Sequence, residues 1–141
     1  MAHAGQEIEG RDGFRLRLVR TGAETGGELL EMEATYGGTN WLPPEHLHPR
    51  QDERFEVLEG TVRAIVGGVE RTYTAGEAFD VAAGTPHQMA AEGPARMRWE
   101  VRPALRTAEL FERLHAGPGD EDGAAWGAAL FAEFAEELRL T

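Results

Sequence analysis

Two segments of the chain alternate strictly between apolar and polar residues. The first runs from Leu30 to Tyr36 and the second from Met97 to Val101. Because the side chains of a strand point alternately to opposite faces, this period of two predicts strands with one buried face. Shorter apolar runs bounded by glycines lie at residues 55–58, 62–66, 69–73 and 78–81, and an earlier one lies near 14–18. Many short strands with regular turns predict an all-β sandwich or barrel.

The periodicity changes after Pro103. Thr107 is a candidate N-cap for a short helix, and Leu130, Phe134 and Leu138 recur at the spacing of a second helix. We therefore interpret residues 1–103 as a β-barrel with an N-terminal strand, and residues 104–141 as a C-terminal helical tail that packs on it within a single domain. A lid over the barrel mouth or a contact in a homodimer would use the same apolar stripe.

The charge balance excludes some classes of partner. Lys and Arg number 14 and Asp and Glu number 25 in 141 residues, for a net charge of −11. Nucleic acids and anionic membrane surfaces both require a basic footprint, so neither is an expected partner. The chain has no cysteine and no apolar run long enough to span a bilayer, and its N-terminus lacks the pattern of a signal peptide. We expect a cytoplasmic protein.

Four residues of metal-binding type are spaced so that they can meet. His46 and His48 lie two apart on one strand and can share a face, while Glu53 follows the turn-prone residues 49–52. His87 lies on a later strand and would complete a cage of three imidazoles and one carboxylate. Such a set suits a divalent transition metal: Fe, Mn, Ni, Co, Cu or Zn.

These residues carry a specific resemblance to a known family. The first motif of the cupin superfamily reads G-x5-H-x-H-x3,4-E-x6-G, and His46, His48, Glu53 and Gly60 match it at the required spacing. Asn40 stands in the place of the leading glycine.

The second motif of the same family reads G-x5-P-x-G-x2-H-x3-N. Gly76, Gly84 and His87 match it, whereas Ala82 replaces the proline and Ala91 replaces the asparagine. The resemblance implies a double-stranded β-helix, a jelly-roll barrel, with a short C-terminal helical extension. It also implies a metal near the barrel centre, held by the four residues named above, with about two coordination positions left for water, dioxygen or substrate.

Residues that share the faces of these ligands are candidates for the barrel wall. Phe55 and Val57 share the face of Glu53, Met89 shares that of His87, and Trp99 and Tyr36 lie on the apolar faces of their strands. Such a wall would bind a small organic molecule with an apolar or aromatic part. The alternative is that these side chains simply fill the barrel core.

Three functions remain open at this stage. The protein is expected to be an oxygenase or dioxygenase with Fe(II) as the favoured metal, acting on a small organic molecule in the barrel lumen. A non-redox metal enzyme, such as an isomerase, cyclase or lyase, would use the metal as a Lewis acid. A non-catalytic binder of a small ligand or metal is the third alternative. The resemblance includes all three, and a homodimer is compatible with each.

Overall fold

The structure, a computed structural model, describes residues 2–38 and 42–141. Its strands are β1 Glu7–Glu9, β2 Arg15–Arg20, β3 Leu30–Gly37, β4 His46–Leu47, β5 Asp52–Glu59, β6 Thr61–Val66, β7 Val69–Thr74, β8 Ala78–Val81, β9 His87–Ala91, β10 Pro94–Arg102 and β11 Arg139–Leu140. Its helices are α1 Gly22–Thr25, α2 Thr107–Ala116 and α3 Gly123–Glu133.

The strands form two antiparallel sheets. The first sheet has the order β1-β2-β3-β10-β5-β8, and the second has the order β11-β4-β9-β6-β7. Strands that follow one another in the chain often lie in different sheets, as β3 and β4 or β5 and β6 do. This arrangement confirms the predicted all-β class and the double-stranded β-helix.

The two alternating segments pair with each other as β3 and β10. Met32 is directly opposite Trp99, and Ala34 is opposite Met97. Met32, Ala34 and Met97 are fully buried, which confirms that the apolar residues of both strands share the inner face. On the other side of β10, Trp99 is opposite Phe55 of β5, so one aromatic pair continues the inner face across the sheet.

One turn of the barrel depends on a glycine. Gly60, between β5 and β6, has a φ of +83°, and a Cβ atom there would lie 2.4 Å from the carbonyl oxygen of Pro94. Any other residue would meet both a strained backbone and a clash with a neighbouring strand. The last glycine of the first motif therefore has a structural reason, since it lets β5 turn into β6 beneath β10.

The predicted helical tail forms α2 and α3, and its apolar stripe is buried. Leu130, Phe134 and Leu138 belong to the same core cluster as Leu16 and Leu30 of the barrel. Within the described residues, 2–38 and 42–141, no helix is both long and apolar enough to cross a membrane.

The prediction that Thr107 is the N-cap of α2 is wrong. Thr107 is the first residue of the helix rather than its cap, which is Arg106. The hydroxyl of Thr107 instead exchanges hydrogen bonds with the buried side-chain amide of Gln51, two residues before Glu53. A tertiary contact has therefore taken the hydroxyl that local capping would have used.

The chain ends in a strand that the sequence pattern did not predict. Arg139 and Leu140 form β11, which pairs with Leu47 and His46 of β4 at the edge of the second sheet. The segment after α3 is thus part of a barrel sheet, beside the strand that carries the first histidine.

Candidate metal centre

The four predicted ligands come together from both sheets. His46 lies on β4 directly opposite His87 of β9, and His48 follows β4 by one residue, so the second sheet contributes all three imidazoles. Glu53 lies on β5 of the first sheet, on the inward face that it shares with Phe55 and Val57. The site therefore consists of residues from both sheets and forms where their inner faces meet.

The ligand atoms of the cluster are close enough to surround one ion. One ring nitrogen from each of His46, His48 and His87 lies within 4.8 Å of the others. The Oε1 atom of Glu53 lies 3.1 Å from Nε2 of His48 and 3.0 Å from Nε2 of His87. His48, Glu53 and His87 are only 4%, 2% and 4% exposed, whereas His46 is half-buried.

Each imidazole is oriented by a backbone carbonyl at its Nδ1 atom. The acceptors for His46, His48 and His87 are Pro44, Glu137 and Thr85, at 3.2, 2.7 and 2.8 Å respectively. A carbonyl oxygen can only accept, so Nδ1 must carry the proton, and Nε2 of the neutral ring is then a lone pair. This is the outer-shell arrangement that fixes the tautomer of metal-binding histidines.

Two atoms at the centre of the cluster have no hydrogen bond. In the described part of the chain, His48 Nε2 and Glu53 Oε1 are buried without a hydrogen-bond partner, although they lie 3.1 Å apart. With Nδ1 protonated, both are lone-pair atoms, and two such atoms repel unless a proton or a cation lies between them. The neutral imidazoles and the single carboxylate fit a divalent transition metal.

The charges of the cluster are mutually dependent. Burial alone would raise the pKa of Glu53, but the imidazoles of His48 and His87 outweigh it and lower that pKa to about 2. Burial opposes protonation of His48, yet the carboxylate of Glu53 outweighs it and raises the pKa of His48. Burial, followed by the neighbouring His87, lowers the pKa of His46 to about 4. The carboxylate is therefore ionised and His46 neutral at neutral pH, as metal binding requires.

Trp99 has a contact that its place in the alternating pattern did not indicate. Its indole Nε1 donates a hydrogen bond of 2.8 Å to Oε2 of Glu53. Its ring stacks on Phe55 at 5.3 Å between centroids and contacts Phe111 of α2 at 5.2 Å. The sequence placed Trp99 on the inner face, but the register that brings it to Glu53 is set by pairing between β5 and β10.

The other wall candidates lie around the same core. Phe55 and Val57 are fully buried, and Phe55 also stacks on Phe79 at 5.0 Å. Met89 and Tyr36 are partly buried and pack against the hydrophobic core cluster that contains Phe55 and Val57. Burial, with a smaller contribution from Glu53, raises the pKa of Tyr36 well above its ordinary value, so its hydroxyl remains protonated.

The family model for the cupin domain matches residues 34–101. The chain carries a cupin domain. The predicted resemblance is thereby confirmed, and all four candidate ligands of the cupin domain fall within the matched residues. Asn40, which replaces the leading glycine of the first motif, lies outside the described residues.

Several solved structures are similar to this chain in fold. KdgF from Halomonas sp. superposes with a TM-score of 0.60 at 19% identity, covering 70% of this chain and 86% of that one. An RmlC-like cupin from Shewanella frigidimarina NCIMB 400 gives a TM-score of 0.64 at 19% identity, covering 73% and 87%. The EutQ protein of Clostridium difficile gives 0.56 at 22% identity, covering 67% and 66%. These similarities show the fold alone, and no curated protein matches the chain.

Proposed function

We propose that this cupin is a metal-dependent enzyme in which His46, His48, Glu53 and His87 hold a divalent transition metal, with Fe(II) favoured. The observation that carries the proposal is the buried meeting of His48 Nε2 and Glu53 Oε1 without a hydrogen bond. Burying an ionised carboxylate beside imidazoles whose lone pairs face it is costly unless a positive charge lies between them. A bound cation would supply that charge.

We further propose that the reaction is an oxygenation of a small organic molecule. Imidazoles with one carboxylate are ligands typical of non-haem iron, which when bound would supply redox chemistry with dioxygen. Burial raises the pKa of Tyr36, so its hydroxyl stays protonated and is available as a neutral hydrogen-bond donor. Phe55 and Val57 exclude water from the inner side of the cluster.

Access to the cluster is proposed from the side of His46. This imidazole is half-buried, whereas His48, Glu53 and His87 are almost fully enclosed. A substrate that approaches past His46 would meet the polar end of the site first. Of the wall candidates, Trp99, Met89 and Tyr36 are partly exposed and could contact it, whereas Phe55 and Val57 are fully buried. This favours a molecule with an oxygen function next to an apolar or aromatic part.

The test combines metal content with oxygen uptake. The chain is purified without chelator or affinity-tag nickel, its metal is measured by elemental analysis, and oxygen consumption is followed after anaerobic Fe(II) loading with small aromatics or diketones as substrates. Stoichiometric iron with substrate-dependent uptake is the expected result. Bound Zn, Mn or Ni without uptake would replace the oxygenase by Lewis-acid chemistry or ligand binding. A protein that binds no metal would contradict the proposal altogether.

Homodimerisation and a cytoplasmic location stay predictions. Leu140 on the edge strand β11 and Val69 on the edge strand β7 are both more than half exposed, which supports an edge contact between copies. Sedimentation equilibrium checks this, because a monomer of 15.4 kDa is readily distinguished from a dimer.

A further inference from the structure

The C-terminal extension, residues 104–141, reaches the candidate metal centre directly. The Nδ1 atom of His48 lies 2.7 Å from the carbonyl oxygen of Glu137, and the contact is buried. Just beyond it, β11 pairs with β4, so the extension is held against the strand that precedes His48. The two partners are 89 residues apart in the sequence. The acceptor is therefore supplied by the extension and not by a residue close to His48 in the sequence.

The extension reaches the cluster a second time through an aromatic contact. Phe111 of α2 packs on the ring of Trp99, which also stacks on Phe55. Packed against both rings, Trp99 directs its indole N–H at Oε2 of Glu53. The carboxylate thus keeps Oε1 turned toward His48 and His87 while Oε2 is occupied.

We infer that the C-terminal extension supplies part of the outer shell of the metal centre and orients two of its four residues, His48 through the carbonyl of Glu137 and Glu53 through the packing of Phe111 on Trp99. The inference rests on the proposed metal site and goes beyond it, because it assigns positioning roles to Trp99, Phe111 and Glu137. Outer-shell partners fix ligand orientation and protonation, and losing one typically weakens metal binding by about 10- to 100-fold.

Two matched pairs of variants test whether Trp99 and Phe111 orient Glu53. Trp99→Phe removes the indole N–H but keeps an aromatic ring, and Trp126→Phe makes the same change on α3. Phe111→Leu removes the ring that packs on Trp99, whereas Phe131→Leu makes that change elsewhere in the same core cluster. Co(II) affinity by chelator competition should fall about 10- to 100-fold for the first member of each pair. The second members should bind Co(II) like the parent.

A double-mutant cycle separates positioning from loss of packing. In a Glu53→Gln background, Trp99→Phe should have a much smaller effect on Co(II) affinity, because the carboxylate that it orients is absent. A merely structural role for Trp99 would give the same loss in both backgrounds. The melting temperature of each metal-free variant, measured in parallel, records any general loss of stability.

The orientation of His48 by Glu137 is tested on the parent chain, with His48→Ala as the control. Because coupling is reciprocal, Co(II) or Zn(II) binding should slow amide hydrogen exchange in residues 137–140, and should not do so in His48→Ala. In the metal-free protein, NMR should detect a slowly exchanging Nδ1–H of His48 with a through-hydrogen-bond coupling to the carbonyl carbon of Glu137. The indole N–H resonance of Trp99 should shift in Glu53→Gln.

The outcomes for the inference and for the proposed function are distinguishable. A parent that binds no metal would contradict the metal site, and the metal-free NMR signals would then decide whether the extension orients His48 and Glu53. If both Trp99→Phe and Phe111→Leu bound Co(II) with the affinity of the parent, the inference that Trp99 and Phe111 orient Glu53 would be wrong. If no coupling between His48 and Glu137 were detected, the inference that Glu137 orients His48 would be wrong.

Discussion

The Oε1 atom of Glu53 lies 3.0 Å from the Nε2 atom of His87, although the two residues belong to different sheets. Glu53 lies on β5 and His87 on β9, so this distance records how closely the inner faces of the two sheets approach at one end of the barrel. Farther along the inner face of β5, the fully buried side chains of Phe55 and Val57 follow Glu53. The polar cluster is thus seated on an apolar core, where the charge of Glu53 is screened very little.

Replacing His48 with Ala should lower the bound metal from near one ion per chain to a small fraction of that. The variant removes one of three imidazoles and the one held by the extension. Elemental analysis after gel filtration measures the effect, with His115→Ala as a control because His115 lies outside the cluster and stacks on Phe14. An unchanged metal content in His48→Ala would remove His48 from the ligand set.

Replacing Glu53 with Gln should weaken metal binding less completely than the loss of a histidine. The amide keeps an oxygen ligand but loses the negative charge, and we expect at least about a 10-fold loss of affinity, equivalent to about 1.4 kcal/mol. Competition with a chelator of known affinity measures it. Equal affinity in the variant and the parent would show that the carboxylate does not bind the ion.

Removing metal should lower the melting temperature. A ligand that binds only the folded state stabilises it by about 2.7 kcal/mol when its free concentration is 100-fold above the dissociation constant. For a chain of this length that corresponds to roughly 10 °C. Calorimetry with and without chelator checks the shift, and His48→Ala should show none. A shift of the same size in both proteins would mean that the chelator acts elsewhere.

The metal-free protein should lose stability as the pH falls from 6.5 toward 4, and His46 should account for part of that loss. Burial, with His87, lowers the pKa of His46 from 6.5 to about 4, so in this window the unfolded chain binds a proton that the folded chain does not. Stability contributed in this way rises with pH and is lost on acidification. In His46→Asn the free energy of unfolding should fall less steeply between pH 6.5 and 4.

Urea unfolding at several pH values measures that slope. His48 contributes with the opposite sign, because Glu53 outweighs burial and raises its pKa, and stability that depends on its proton is lost as the pH rises. That contribution is present in both the parent and His46→Asn, so the difference between them reports His46 together with its coupling to His48 and His87. Parallel pH profiles for the two proteins would contradict the prediction.

Much of the candidate site was predictable because it depends on local pattern. The alternation in β3 and β10 fixes which residues face inward, and the two-residue spacing of His46 and His48 lets both approach one point. The turn at Gly60 likewise follows from a residue that tolerates positive φ. These features need only the geometry of a strand and of a turn.

The contacts that orient the site were not predictable in the same way. Thr107 carries a good capping side chain, but its hydroxyl bonds Gln51 across the structure instead. The acceptor for His48 is a backbone carbonyl, and every residue has one, so the sequence carries no signal that selects Glu137.

The sequence by itself determined the strand faces, the turns and the four residues of metal-binding type, because periodicity and side-chain chemistry act over a few residues. Only the tertiary structure decided that Trp99 bonds Glu53 and that the chain end pairs with β4 beside His46. Such contacts depend on strand register and on packing between segments that are distant in sequence. Their energies are set by the whole fold rather than by the residues next to them.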